Sequence, residues 1–62
     1  MSKEILNLIL KASGKTKKEF ADKIKVSVSS VTKWMTGITK PTPNNQVKIR
    51  KEFKSEIAKL YK

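Results

Sequence analysis

Short hydroxyl side chains and one lysine lie close together between residues 27 and 36, and these groups are well suited to bind a polar partner. They are interleaved with Val31, Trp34 and Met35, which follow the i, i+3, i+4 spacing of the buried side of a helix. If those three side chains face inward, the opposite side of the helix carries Ser29, Ser30, Thr32, Lys33 and Thr36. Hydroxyls and amines bond to base edges and phosphates, and small side chains allow close approach. The segment therefore predicts a helix that faces a polar surface.

Basic residues dominate the charge of the chain. Fifteen Lys or Arg face five Asp or Glu, so the formal net charge is +10 and the pI is near 10.2. Solubility of a small domain needs a net charge of only about 2–8, so the excess indicates a polyanionic partner. Residues 16–37 are typical of two short helices joined by a tight turn, and for such a compact pair of helices on a basic domain, double-stranded DNA is the leading candidate. Sixty-two residues predict a single small domain with a thin core.

Several classes of function are excluded by residues that the chain lacks. It contains no Cys and no His, which removes disulfides, thiol catalysis, zinc fingers and histidine acid–base chemistry. Its five carboxylates form no recognisable catalytic set, and no glycine-rich phosphate loop is present. The longest apolar run, Leu8 to Leu10, is too short for a membrane span. We therefore expect a cytoplasmic protein that is not an enzyme, with no cofactor, no metal and no membrane partner.

Capping signals predict where the first two helices begin. Ser2 and Gly14 bound the first helix, and its inward side consists of Ile5, Leu6, Ile9, Leu10 and Ala12. The second helix opens at Thr16 and Glu19 with the S/T-x-x-E capping box. Its buried side consists of Phe20, Ala21 and Ile24.

The remaining helices follow from similar signals. Ser27 caps the third helix and Gly37 ends it. A loop then leads to Thr42 and Pro43, a good cap and first-position pair. From Asn44 to Tyr61 there is room for one long helix or for two, with a kink near residues 54–55. The inward stripe of this part consists of Ile49, Phe53, Ile57 and Leu60, with Val47 and Tyr61 beside it. No alternating strand pattern occurs, so we predict an all-α, compact four- or five-helix bundle.

One stretch resembles a known family. The sequence TKKEFADKIKVSVSSVTKWMTG, from Thr16 to Gly37, resembles the helix-turn-helix of the Cro and lambda-repressor type. The ITKPT that follows, ending at Thr42, is similar to that family's ending of glycine, three residues, proline and a small hydroxyl. The resemblance implies a single DNA-binding domain over residues 1–62, with the helix-turn-helix proper at about residues 16–37. It also implies that the helix at residues 27–36 enters the major groove.

The resemblance implies a role for each matching position. Base contacts would come from Ser27, Val28, Ser29, Thr32 and Lys33. Phosphate contacts would come from Thr16, Lys17, Ser30, Thr39 and Lys40. Two features depart from the family. Lys25 stands in the turn, where the family often has glycine, and the recognition helix lacks Gln, Asn and Arg. We expect a strained or altered turn and a modest direct readout of bases.

The function predicted from the sequence is that of a sequence-specific transcriptional regulator, most similar to a small Cro repressor of a phage. It would bind a palindromic operator as a weak homodimer that DNA strengthens. The protomers would meet through the loop at residues 38–43 or through a tail formed by Phe53, Ile57, Leu60 and Tyr61. The alternative is a helix-turn-helix-shaped interaction module, such as an antitoxin or antirepressor, that binds an acidic protein. A basic amphipathic membrane binder is a weaker rival. A helix that lies on a membrane surface needs no packed core, whereas the position of Trp34 and the capped helices of this chain indicate one.

Overall fold

Residues 1–60 are described by the computed structural model, and this part of the chain contains helices and turns but no strand. Five helices follow one another as α1 (Lys3–Ser13), α2 (Lys17–Ile24), α3 (Val28–Thr36), α4 (Pro43–Glu52) and α5 (Lys54–Leu60). The predicted all-α bundle is confirmed, and of the expected four or five helices the described residues form five.

Hydroxyl side chains begin the first four helices. In each case the cap oxygen accepts from the backbone N–H three residues later, and the caps are Ser2, Thr16, Ser27 and Thr42. At α2 both bonds of the capping box form, because the Thr16 N–H also donates to the Glu19 carboxylate at 2.9 Å. Each cap contributes about 1 kcal/mol to stability. The predicted helix starts are therefore confirmed.

A single apolar core holds the helices together. It consists of Leu6, Ile9, Phe20, Ala21, Ile24, Val31, Trp34, Met35, Ile49 and Phe53. The rings of Phe20 and Phe53 stack with centroids 4.5 Å apart. Trp34 is only 5% exposed, so the predicted inward side of α3 is confirmed.

Two residues expected at the core are in fact exposed. Val47 is 63% exposed because it lies two residues before Ile49, which rotates it about 200° around α4 from that buried side chain. Ala12 is exposed because it lies about 90° around α1 from the direction midway between Leu6 and Ile9. The apolar sides of α1 and α4 are therefore narrower than predicted.

The last two helices are separated at Phe53. This residue leaves the helical region with φ −115° and ψ 30°, yet its N–H still donates to the Ile49 carbonyl. The Phe53 carbonyl in turn accepts from the Ile57 N–H, and α5 packs on α1. Of the two alternatives that the sequence left open, the one with two helices is observed, and the break lies one residue before the kink it placed near residues 54–55. Phe53 is 0% exposed, so its expected role between protomers is wrong, and Tyr61 lies outside the described residues.

Lys25 adopts the left-handed conformation that its place in the turn requires. Its φ is 59° and its ψ is 46°, and its N–H donates to the Asp22 carbonyl. The next N–H, that of Val26, donates to the Ala21 carbonyl at 3.0 Å, which completes a Schellman motif. The turn therefore has the shape that glycine would give it, and the backbone of Lys25 is strained.

Replacing this lysine by glycine is expected to stabilise the fold. The left-handed conformation costs a residue with a Cβ about 1–2 kcal/mol, and the extra freedom of unfolded glycine offsets part of that. We expect Lys25→Gly to gain about 1 kcal/mol, which raises the Tm of a domain this small by about 4–8 °C. A thermal melt monitored by circular dichroism measures this, with Lys23→Gly inside α2 as the control that should destabilise. An unchanged or lower Tm for Lys25→Gly would show that the turn stores no strain.

Candidate nucleic-acid interface

The side of α3 opposite the core, together with its cap Ser27, is exposed and mostly polar. Its exposed members are Ser27, Val28, Ser29, Lys33 and Thr36, and Thr32 beside them is half-buried. Positions 28 and 32, and positions 29 and 33, are four residues apart and so lie on the same face of the helix. The structure thus brings the five predicted base-contacting residues together over the first turns of α3.

Hydrogen bonds within the protein occupy some of these hydroxyls. The Ser27 Oγ accepts from the Ser30 N–H at 3.1 Å and lies 2.9 Å from the Ser30 Oγ. The Thr36 hydroxyl donates to the Thr32 carbonyl at 3.0 Å. Ser27 was assigned to a base contact and Ser30 to a phosphate contact. The hydrogen bonds between these two residues therefore also stabilise the first turn of α3. Across residues 1–60, the side chains of Ser29, Thr32 and Lys33 keep their polar groups available.

The N-terminal end of α2 offers a second polar surface. Thr16 and Lys17 are both exposed there. The N–H of Glu19 is bonded to the Thr16 hydroxyl, whereas the N–H groups of Lys17 and Lys18 have no partner within the helix. Free N–H groups at the positive end of a helix attract phosphate.

Glu19 is the acidic residue at this end. The backbone N–H of Thr16, and after it the Thr16 side chain, lower the pKa of the Glu19 carboxyl, with a smaller contribution from Lys15. The folded pKa lies below the unfolded one, so the capping box stabilises the fold above the unfolded pKa. That contribution is lost as the pH falls through the folded pKa.

The loop between α3 and α4 is anchored at both ends. Gly37 ends α3 at φ 83°, and the Ile38 N–H donates to the Lys33 carbonyl at 3.0 Å. At the other end Pro41 is buried, and the Gln46 side-chain amide donates to its carbonyl at 3.1 Å. Between these anchors Thr39 and Lys40 are exposed. The loop therefore holds two of the five predicted phosphate-contacting residues on a defined path.

Two positioning residues were missed by the sequence analysis. One is Gln46, which fixes the loop, and the other is Asn7 on α1. The Asn7 amide donates to the Met35 carbonyl at 3.0 Å and to the Lys3 carbonyl at 2.8 Å, and so joins α1 to the end of α3. A polar amide within an otherwise apolar stretch, Ile5 to Leu10, was the available signal for Asn7. Nothing local marked Gln46.

Two features that other functions would need are absent from residues 1–60. No group of three or more carboxylates is placed to hold a metal ion. No helix in this range has the length and apolar character needed to cross a bilayer.

Two short helices joined by a Schellman turn, with the second exposed along one polar side, define a helix-turn-helix domain of the DNA-binding kind. A helix-turn-helix family model matches residues 6–60. The chain therefore belongs to the helix-turn-helix family, in the branch of Cro and C1 regulators. It is a DNA-binding regulator whose partner is double-stranded DNA, in a family that is generally not enzymatic. Comparisons with curated proteins and with solved structures find no match.

Proposed function

We propose that this protein is a sequence-specific, Cro-like transcriptional repressor whose 62 residues act as one domain in the cytoplasm. The observation that carries the proposal is the orientation of α3: Trp34 is buried, and the opposite side presents small polar groups and one amine. A helix with so few bulky exposed side chains fits into the major groove. We assign the base contacts to Ser27, Val28, Ser29, Thr32 and Lys33.

The side chains on the outer side of α3 offer three kinds of contact to base pairs. Val28 is 40% exposed and would pack on a thymine methyl. The Lys33 amine would donate to O6 or N7 of guanine, and the hydroxyls of Ser29 and Thr32 would bond to any base. Because a single lysine is the only strong reader, direct readout is modest. Sequence-dependent bending of the DNA supplies the rest of the specificity.

Contacts to the sugar-phosphate backbone of the DNA would hold the domain on the duplex from two sides. Thr16, Lys17 and Ser30 would bind phosphates at the helix starts, and Thr39 and Lys40 would bind them from the anchored loop. If each protomer neutralises roughly four phosphates, the affinity of a dimer falls with a log–log salt slope near −7.

We further propose that the protein binds a palindromic operator as a weak homodimer that DNA strengthens. Of the two protomer contacts expected from the sequence, the loop at residues 38–43 is the better one. Ile38 in that loop is 72% exposed, whereas Ile57 and Leu60 already pack against the core of their own chain. One exposed isoleucine buries little apolar area, which explains why the dimer would be weak.

Selection of bound duplexes from a random oligonucleotide pool tests this function. A two-fold symmetric consensus with half-sites about one helical turn apart is the expected result. Enrichment of no sequence, together with a shallow salt slope, contradicts the repressor. It would instead favour the alternative of an interaction module that binds an acidic protein.

The two exposed lysines at positions 33 and 40 should have different effects on recognition. Lys33→Ala is expected to relax the preference at one base-pair position, with a loss of about 1–3 kcal/mol of discrimination there. Lys40→Ala should weaken binding to all sequences alike and reduce the magnitude of the salt slope by about 1 per protomer. Titration against operators with single base-pair changes separates these outcomes. Equal effects of both substitutions at every position would contradict the assignment of Lys33 to a base.

A further inference from the structure

Four lysines surround a shallow depression between α2 and α4. Two come from the end of α2 and its turn, and two come from α4. The lysines are Lys23, Lys25, Lys48 and Lys51, which we call the α2–α4 lysine cluster. All four are exposed, and the depression is completed by Ile24 and Glu52. One carboxylate therefore faces four amines.

The cluster is unfavourable for the isolated protein. Lys48 and Lys51 are three residues apart and so are neighbours on α4, where like charges repel. The packing of α4 on α2 then brings them to the same depression as Lys23 and Lys25. Glu52 offsets only part of this repulsion. A polyanion bound at the depression would remove it.

One member of the cluster lies close along the chain to the start of the recognition helix. Lys25 precedes Ser27, the cap of α3, by two residues, and its backbone is fixed by the Schellman motif. Thr16 and Lys17 lie at the opposite end of α2, and Lys40 lies in the loop after α3. The four lysines of the cluster therefore include none of the residues already assigned to phosphates.

We propose that the α2–α4 lysine cluster binds further phosphates of the same duplex, next to the N-terminal end of α3. This inference rests on the proposed DNA-binding mode. Duplex DNA carries one negative charge per about 1.7 Å of its axis, so phosphates continue beyond those already bound. They are held close to the cluster once α3 is in the groove, whereas an acidic protein would have to be recruited separately. Each protomer would thus contact more phosphates of the DNA than its two predicted phosphate-binding surfaces alone could reach.

The test compares two double variants with equal loss of charge. Lys48→Gln/Lys51→Gln removes half of the cluster, and Lys54→Gln/Lys59→Gln removes two exposed lysines from α5. The affinity of each variant for the selected operator is measured between about 50 and 200 mM salt. The magnitude of the log–log slope should fall by about 0.9 for each phosphate that the variant no longer neutralises, or about 3.6 for a dimer in which each protomer neutralises two fewer. The α5 variant should keep the slope of the wild type.

Two further measurements make the outcome specific. Base preference should not change in the cluster variant, because phosphates carry no sequence information. Ethylation interference should map extra phosphates for the wild type that are missing for the cluster variant. Retention on immobilised polyglutamate provides the comparison with an acidic protein.

Equal salt slopes for the two double variants would overturn the proposal. Equal slopes together with a selective loss of polyglutamate retention would assign the cluster to an acidic polypeptide instead. If the wild type itself selects no duplex, the proposed function fails, which is a different result from a wild type that binds DNA with no contribution from the cluster.

Discussion

Replacing Ser29 with glutamate is expected to remove operator binding and leave the protein folded. Ser29 is exposed in the first turn of α3, where its side chain would face the base edges. A carboxylate there is repelled by the phosphates and must lose its water to enter the groove. We expect the affinity to fall by about 100-fold or more, which corresponds to about 2.7 kcal/mol. Fluorescence anisotropy with the selected operator measures the loss.

The fold of this variant should be intact because an acidic residue near a helix N-terminus is favourable by about 0.3–1 kcal/mol. A thermal melt that shows no decrease in Tm therefore separates a defect in binding from a defect in folding. Ser55→Glu is the matched control, since Ser55 is also exposed and is also the second residue of its helix. Equal affinities of the two variants would mean that the exposed side of α3 does not enter the groove.

Replacing Phe53 with alanine is expected to remove most of the stability of the fold. Phe53 is fully buried and its ring stacks on Phe20 at 4.5 Å. Truncation of a buried phenylalanine costs about 3–5 kcal/mol, whereas a domain of this length has a total stability of roughly 3–9 kcal/mol. Urea unfolding followed by circular dichroism should show a large decrease in the midpoint or no folded baseline.

Two substitutions bracket this effect. Phe53→Leu keeps most of the apolar volume and should cost clearly less than the alanine variant. Val47→Ala, on the 63% exposed side chain of α4, should change stability by less than about 0.5 kcal/mol. A Phe53→Ala variant as stable as Val47→Ala would mean that the aromatic stack does not support the core.

The helix starts and the orientation of α3 were predictable because their signals are local. A hydroxyl three residues before a bonded N–H defines each cap, and the spacing of Val31, Trp34 and Met35 defines the buried side of α3. The break at Phe53 was not predictable to the residue. Phe53 stacks there on Phe20, which is 33 positions away in the chain and belongs to a different helix, and no local pattern marks such a contact.

The distinction between local signals and long-range contacts applies to the candidate site as well. The five assigned base-contacting residues share one face because of helix periodicity alone, so their grouping follows from the sequence. By contrast, the α2–α4 lysine cluster depends on how α4 packs across α2, which places Lys48 at the same depression as Lys25. Gln46 is likewise recognisable as a positioning residue only when the Pro41 carbonyl is seen within its reach. Long-range packing decides both, and no local pattern encodes it.

The left-handed lysine at position 25 has a consequence for the evolution of such a domain. A glycine there would relieve the backbone, but it would also remove a cation two residues before the cap of α3. Stability and affinity for a polyanion therefore make opposite demands on this one position. Selection for stability alone would be expected to replace the lysine, whereas selection for tight operator binding would be expected to retain it.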